Sequence, residues 1–120
     1  MCLDVFDGMI ATLTVRSDNM RKAAQNGFIN ATDLADYLVK KGLPFRSAYK
    51  VSGQIVAWCI KNNEVLETLP LEKYKEFHEL FEQDVYEAVD LDVCVEKRIS
   101  KGGTGVHSVE QQIEFARKSI

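Results

Sequence analysis

Residues 27–46 read GFINATDLADYLVKKGLPFR. This stretch writes out one helix with its start and stop signals and then begins a second. Asn30 is placed to accept a hydrogen bond from the first turn. Asp33, three residues on, gives a box-like start and puts negative charge where the helix dipole favours it. Ala31, Leu34, Ala35, Leu38 and Val39 repeat at three- and four-residue intervals and form one apolar stripe. Lys40 and Lys41 fall in the last turn, where cations are favoured, and Gly42 can take the left-handed closing conformation. Pro44 cannot continue that helix but suits the first turn of the next. The pattern predicts an αα-hairpin closed by a Gly-Leu-Pro turn.

Downstream, a second helix is expected over 45–61. Phe45, Ala48, Ser52, Ile55 and Cys59 make its stripe, and Val51 and Trp58 broaden it, so much of this helix is expected to be enclosed. Pro70 opens a helix carrying Leu71, Tyr74, Phe77 and Phe81. Short helices are expected over 84–88 and 92–98. Ser108 with Gln111 makes a capping box for a last helix bearing Val109, Ile113 and Ala116. Upstream, Leu3, Phe6, Ile10 and Leu13 recur at helical spacing, with Asp4 and Asp7 off the stripe and Gly8 inside it. This helix starts at Met1 with no cap, as a longer helix cut short would. The β-branched stretch 12–15 weakens it, and Ser17 or Asp18 can cap a short helix through Ala24. A boundary is expected near 26–30, with the earlier part the tail of something else. No internal repeat, low-complexity tract or long linker interrupts the chain.

The size, 120 residues and 13.6 kDa, suits one ordinary domain or a domain with a piece of its neighbour. Hydrophobic residues make up 46% and charged residues 28%, which separates the chain from disordered sequences. A net charge of −3 argues against nucleic acid, whose binders favour a basic face. Cys2, Cys59 and Cys94 are an odd number at no metal-ligand spacing, and are expected to be reduced, mostly buried thiols of an intracellular protein. No apolar run is long enough to span a membrane, and no leader for export is evident.

Four features could carry chemistry, and each has a plainer explanation. Gly102-Gly103-Thr104-Gly105 precedes a helix but lacks the Lys-Ser/Thr of a phosphate loop, so a flexible connector is expected. His78 and His107 complete no zinc set and are expected to be solvated or singly hydrogen-bonded. Glu64, Glu67, Glu72, Glu76, Glu79 and Glu82 are expected to be a wet face, with Glu72–Lys75 or Lys73–Glu76 as near-neighbour pairs. Lys40, Lys41 and Arg46 would suit a helix-turn-helix on DNA, yet the 45–61 helix is too apolar to leave the core. Trp58, Tyr74 and the phenylalanines are expected at core spacing and need no cofactor to explain them. The residues alone describe a soluble helical domain without a catalytic constellation.

The run Asn30-Ala31-Thr32-Asp33-Leu34-Ala35-Asp36-Tyr37-Leu38-Val39, followed by Lys-Lys-Gly-Leu-Pro-Phe-Arg, resembles the third, C-terminal domain of the argininosuccinate lyases. Leu80-Phe81-Glu82-Gln83-Asp84-Val85-Tyr86 is similar to the same domain. The Gly102-Gly103-Thr104 loop with Val109, Gln112 and Ile113 is similar to its end. Upstream, Gly8-Met9-Ile10-Ala11-Thr12-Leu13-Thr14-Val15 resembles the end of the long central-domain helix that leads into it. The likeness runs in order along essentially the whole chain.

The resemblance implies an all-α fold: a compact helical domain of two stacked helix-turn-helix units, preceded by a truncated long helix. Residues 1–26 would be the tail of the central helical-bundle domain and 27–120 the C-terminal domain. The intact family enzyme is a homotetramer that splits argininosuccinate into arginine and fumarate by β-elimination. Its base is a serine on a mobile Gly-Ser-Ser-x-Met-Pro loop, assisted by a histidine and by Asn, Thr, Tyr, Gln and Lys from the first two domains. None of those motifs occurs here, so no catalytic, substrate-binding, cofactor-binding or metal residue is assigned to this chain, and no cofactor is expected. Two positions depart from the family. Ala48-Tyr49 stands where Ala-His is common after Pro-Phe-Arg, and Pro70 stands where a Thr or Ser usually caps.

The expectation is a fragment that is silent by itself, belongs with the rest of a cytoplasmic biosynthetic enzyme and its homotetramer, and self-associates through the exposed first helix. No nucleic acid or membrane partner is expected. The alternative is a stand-alone helical protein-interaction or structural module, a role that a lens-protein relative of the lyases shows this fold can serve.

Overall fold

A computed structural model describes residues 2–119, so Met1 and Ile120 lie outside the described residues. Eight α-helices and one 3-10 turn follow one another without a strand among the described residues. They are α1 (Cys2–Ala11), α2 (Ser17–Asn26), α3 (Ala31–Lys40), α4 (Phe45–Asn62), the 3-10 turn Leu66–Thr68, α5 (Leu71–Phe77), α6 (Val85–Val89), α7 (Leu91–Glu96) and α8 (Val106–Ser119). The fold is all-α, as the periodicity predicts.

The α3–α4 hairpin forms where the sequence places it. Gly42 adopts φ +98°. Its N–H donates to the Val39 carbonyl at 2.9 Å, and the Leu43 N–H reaches back to Leu38 at 3.0 Å. That pair of bonds is the Schellman closure, and a left-handed glycine makes it inexpensive. Leu34 and Leu38 of α3 meet Ala48, Ile55 and Cys59 of α4, all fully enclosed. Each leucine-sized side chain so buried contributes about 1.5–3 kcal/mol.

The shorter helices α5–α7 complete the core with Leu66, Leu69, Tyr74, Phe81, Val85 and Val89. An aromatic ladder ties them to the hairpin. Phe81 stacks on Tyr37 with centroids 5.9 Å apart and meets Tyr74 at 5.0 Å, and Tyr74 meets Tyr86 edge-on at 6.3 Å. The hydroxyls stay satisfied: Tyr74 donates to the Leu66 carbonyl at 2.7 Å and Tyr86 to that of Leu69 at 2.8 Å. Buried phenols need such partners. Trp58 of α4 is half-buried, with the Lys73 ammonium 4.7 Å from its ring centre. Lys73 also pairs with Glu76 at 2.5 Å, one of the two near-neighbour pairs foreseen.

Several local expectations fail for identifiable reasons. Asn30 stands at the α3 N-cap, but its side chain makes no cap bond and donates instead to the Val89 carbonyl, tying α3 to α6. Neither Ser17 nor Asp18 caps α2; Arg16 holds that position, and the helix runs on to Asn26. Phe45, expected in the α4 stripe, is 59% exposed at the first turn of that helix and meets only the exposed Tyr49 ring, 6.1 Å away, among the aromatic contacts. Helix α5 stops at Phe77, so Phe81 reaches the core from a loop rather than from a helix. The side chain of Asp90 caps α7, accepting from the Val93 N–H at 2.9 Å, and the helix begins at Leu91 rather than at Asp92. Helix α8 begins at Val106, so Ser108 lies inside it, buried, with its hydroxyl donating to the Ser100 carbonyl at 2.9 Å.

Candidate functional site

The concave, charged part of the surface lies between α3 and the α6–α7 corner. A cavity of about 420 Å³ opens there, walled by Asp33, Asp36, Tyr37, Lys40, Lys97 and Arg98. Helical spacing puts Asp33, Asp36, Tyr37 and Lys40 on one side of α3. The Arg98 guanidinium forks onto Asp33 at 2.8 and 3.2 Å, a two-point geometry that carboxylates favour, and also bonds the Cys94 carbonyl. The hydrogen bond to Asp33 holds the Arg98 pKa above its ordinary value.

A second charged knot caps the other side of Tyr37. Its hydroxyl donates to Asp84 and accepts from the Glu82 N–H at 3.1 Å. Lys41 binds Glu82 and also Asp84, the latter at 2.9 Å. Hydrogen bonds from Lys41 and then Tyr37 hold the Asp84 carboxyl below its ordinary range, while burial and the Asp84 contact push the Tyr37 phenol up.

These groups do not make a reaction centre. Both buried thiols are pushed up by burial, Cys59 to about 11 and Cys94 to about 12, so neither supplies thiolate near neutrality. Asp33 and Asp84 are each engaged by a cation, and Asp84 is held below its ordinary range, away from the value a general base needs. Among the described residues, no three His, Cys, Asp or Glu side chains converge as a metal set. The chemistry available here is structural: paired charges that fix α3 against α6 and α7.

The other candidates are dispersed. The His78 ring Nδ1 accepts from the Leu80 N–H at 3.2 Å, and His107 stands exposed on α8, 2.9 Å from the Gln111 amide. Of the three basic residues at the hairpin turn, Lys41 is taken up by its carboxylates, while Lys40 and Arg46 are exposed. The glycine loop departs from the expected flexible connector. Gly103 N–H donates to Ser100 at 2.7 Å and Gly105 N–H to Arg98 at 3.1 Å, which turns those amides inward and away from any anion. A Cβ on Gly103 would stand 2.1 Å from the Arg98 carbonyl oxygen, so glycine is needed for the close approach. The acidic series is also not uniformly wet. Only 17% of the Glu67 side chain is exposed, and it accepts the Gln25 amide at 2.7 Å. No spacing rule could have found that contact, since its donor lies 42 residues away.

The conspicuous free surface is α1. Leu3, Val5, Phe6, Met9 and Ile10 are between 56% and 82% exposed, and Leu13 just beyond it is 67% exposed. Cys2 is exposed with them, while Cys59 and Cys94 are buried; all three are free thiols. No helix among the described residues is long and apolar enough to cross a membrane.

Residues 28–96, which hold the α3–α4 hairpin and the knot of Tyr37, Lys41, Glu82 and Asp84, match the family described as argininosuccinate lyase C-terminal. The chain belongs to the argininosuccinate lyase family. It is 52% identical over 120 residues to the argininosuccinate lyase of Clostridium beijerinckii and 51% identical over 120 residues to that of Acetivibrio thermocellus. It is 48% identical over 118 residues to the enzyme of Staphylococcus saprophyticus. Each alignment takes in 98–100% of this chain but 26% of the relative, so the chain corresponds to a C-terminal fragment about a quarter as long as the argininosuccinate lyases it matches.

Proposed function

We propose that this chain is the supporting C-terminal portion of an enzyme that cleaves argininosuccinate to arginine and fumarate, and that it supplies no reacting group itself. The observation that carries this reading is the combination of near-complete alignment of the chain with only 26% of each relative. The charge pairs support it, since Asp33 and Asp84, the carboxylates of the two knots, are each engaged by a cation. In the assembled cytoplasmic enzyme the domain would hold the geometry of catalytic groups housed in the missing three quarters. Helix α1, with Leu3, Phe6 and Ile10 exposed on its apolar side, would enter the helical bundle of a homotetramer. By itself the fragment is expected to associate through that face, because an apolar patch of this kind favours burial.

Fumarate release from argininosuccinate, followed by its ultraviolet absorbance, tests the proposal. The purified chain is expected to release none. Co-expression with a polypeptide supplying the remaining portion of a relative's lyase is expected to give active enzyme containing both pieces. Turnover by the chain alone would overturn the supporting role. Failure of the two pieces to associate would favour a stand-alone interaction module.

A further inference from the structure

We propose that α2 is latched to the C-terminal body through Glu67, so that the flexible joint of this chain lies at residues 12–16 rather than at 26–30. The family match begins at residue 28, and the sequence places the boundary in the same region. The bonding pattern moves it one helix earlier.

Three observations lead there. First, the Glu67 carboxylate stands between three elements. One oxygen accepts the Gln25 side-chain amide of α2 at 2.7 Å. The other accepts the backbone N–H of Leu91, the first residue of α7, at 3.4 Å, and lies 4.0 Å from the Arg21 guanidinium. Arg21 in turn forks onto Asp92 of α7 at 3.0 and 3.1 Å. The outer Arg21–Asp92 pair is well exposed and holds little alone. Glu67 is different: its side chain is mostly enclosed, so its charge-assisted bonds escape most of the solvent competition.

Second, the backbone from α2 into α3 is hydrogen-bonded almost turn by turn. Gly27 N–H donates to Ala23, Phe28 to Gln25, Ala31 to Phe28 and Leu34 to Asn30. Phe28 is held at φ +49° within that path, a conformation a bulky residue seldom keeps unless its surroundings enforce it. Third, the segment 12–16 makes no hydrogen bond to the C-terminal body among the described residues, and its Arg16 carbonyl accepts only from Met20 of α2, at 3.1 Å. Its Thr12 and Leu13 amides bond back to Gly8 and Ile10 of α1, and Leu13 and Val15 are 67% and 66% exposed. Helix α1 therefore pivots at 12–16, while α2 travels with α3–α7. An orientation change between the bundle helix and the domain would be absorbed there.

Trypsin applied to the full chain tests this, because Arg16 lies at the joint while Arg21 and Lys22 lie on α2, all on exposed positions. In the wild-type chain, cleavage after Arg16 is expected to exceed cleavage after Lys22 by about tenfold or more, leaving a stable piece that begins at Ser17. In E67A, cleavage after Lys22 is expected to rise by about tenfold, while hydrogen exchange of α4 amides stays unchanged. D92A, which alters only an exposed side chain, is expected to raise it by about two- to threefold. First cleavage at Arg21 or Lys22 in the wild type would overturn the proposal. So would E67A protection at α2 equal to wild type, or loss of protection at α4 together with α2 in both variants.

Discussion

Helices α1 and α3 are each ten residues long, and the contrast between them separates two meanings of hydrophobicity. Helix α3 buries Leu34, Ala35, Tyr37 and Leu38, whereas α1 buries nothing among its described residues. Yet α1, with Leu3, Val5, Phe6, Met9, Ile10 and Ala11, is the more apolar of the two. The difference lies in the neighbours. In α3, Leu34, Ala35 and Leu38 join the core shared with α4, while Tyr37 stacks on Phe81 and bonds Asp84. In α1, Leu3, Phe6 and Ile10 also share a side, with Asp4 and Asp7 off it, and such a face calls for enclosure by another helix. This chain supplies no such enclosure. Burial therefore belongs to the pairing of helices, and a helix can be hydrophobic for partners that lie outside its own domain.

That contrast can be broken most forcefully at Leu38. Leu38→Ala leaves a cavity at a fully enclosed site and is expected to cost about 2–5 kcal/mol, read from the urea midpoint. Next comes the closure of α3. Gly42→Ala forces a β-carbon onto a backbone at φ +98°, with an expected loss of about 1–2 kcal/mol and no change in the oligomer measured by light scattering. A smaller effect is expected at Asp84, which receives the Tyr37 hydroxyl of α3. Its carboxyl is held below the ordinary 3.8 by Lys41 and Tyr37, so it stabilises the fold above that pH and the gain is lost as pH falls through its lower folded value. Asp84→Asn is therefore expected to flatten the acid limb of stability below about pH 4, by less than about 1 kcal/mol because half of the side chain is in solvent. The smallest change is expected on α1: Leu3→Ala, at 82% exposure, is expected to shift the urea midpoint by less than about 0.5 kcal/mol while weakening self-association.

What could be read in advance follows the range of the interaction responsible. The end of α3 was legible because Lys40, Gly42 and Pro44 act within one or two turns. The α4 stripe from Ala48 to Cys59 was legible because one neighbouring helix enforces its period. Asn30 misled because the same amide that can cap a helix can also reach Val89, 59 residues on, and the tertiary bond prevailed. Ser108 misled in the same way: its local signature suits a cap, but α8 starts at Val106, three residues sooner than that cap would place it, and the hydroxyl turns toward Ser100. Glu67 gave no local signal, since its partners come from α2 and α7. The charged cleft at Asp33 and Arg98 was equally hidden, because its two halves are 65 residues apart. The exposed apolar α1 was visible from the start, since its pattern asks for neighbours that the rest of the chain does not provide.

The lone tryptophan has a practical consequence. Trp58 sits on α4 with the Lys73 ammonium over its ring, and neither α1 nor α2 contains a tryptophan or tyrosine. Its fluorescence is thus a reporter confined to the hairpin and α5. Melting of the domain can be watched optically without interference from whatever the first twenty-six residues do, and a probe placed on the exposed Cys2 thiol would watch those residues separately.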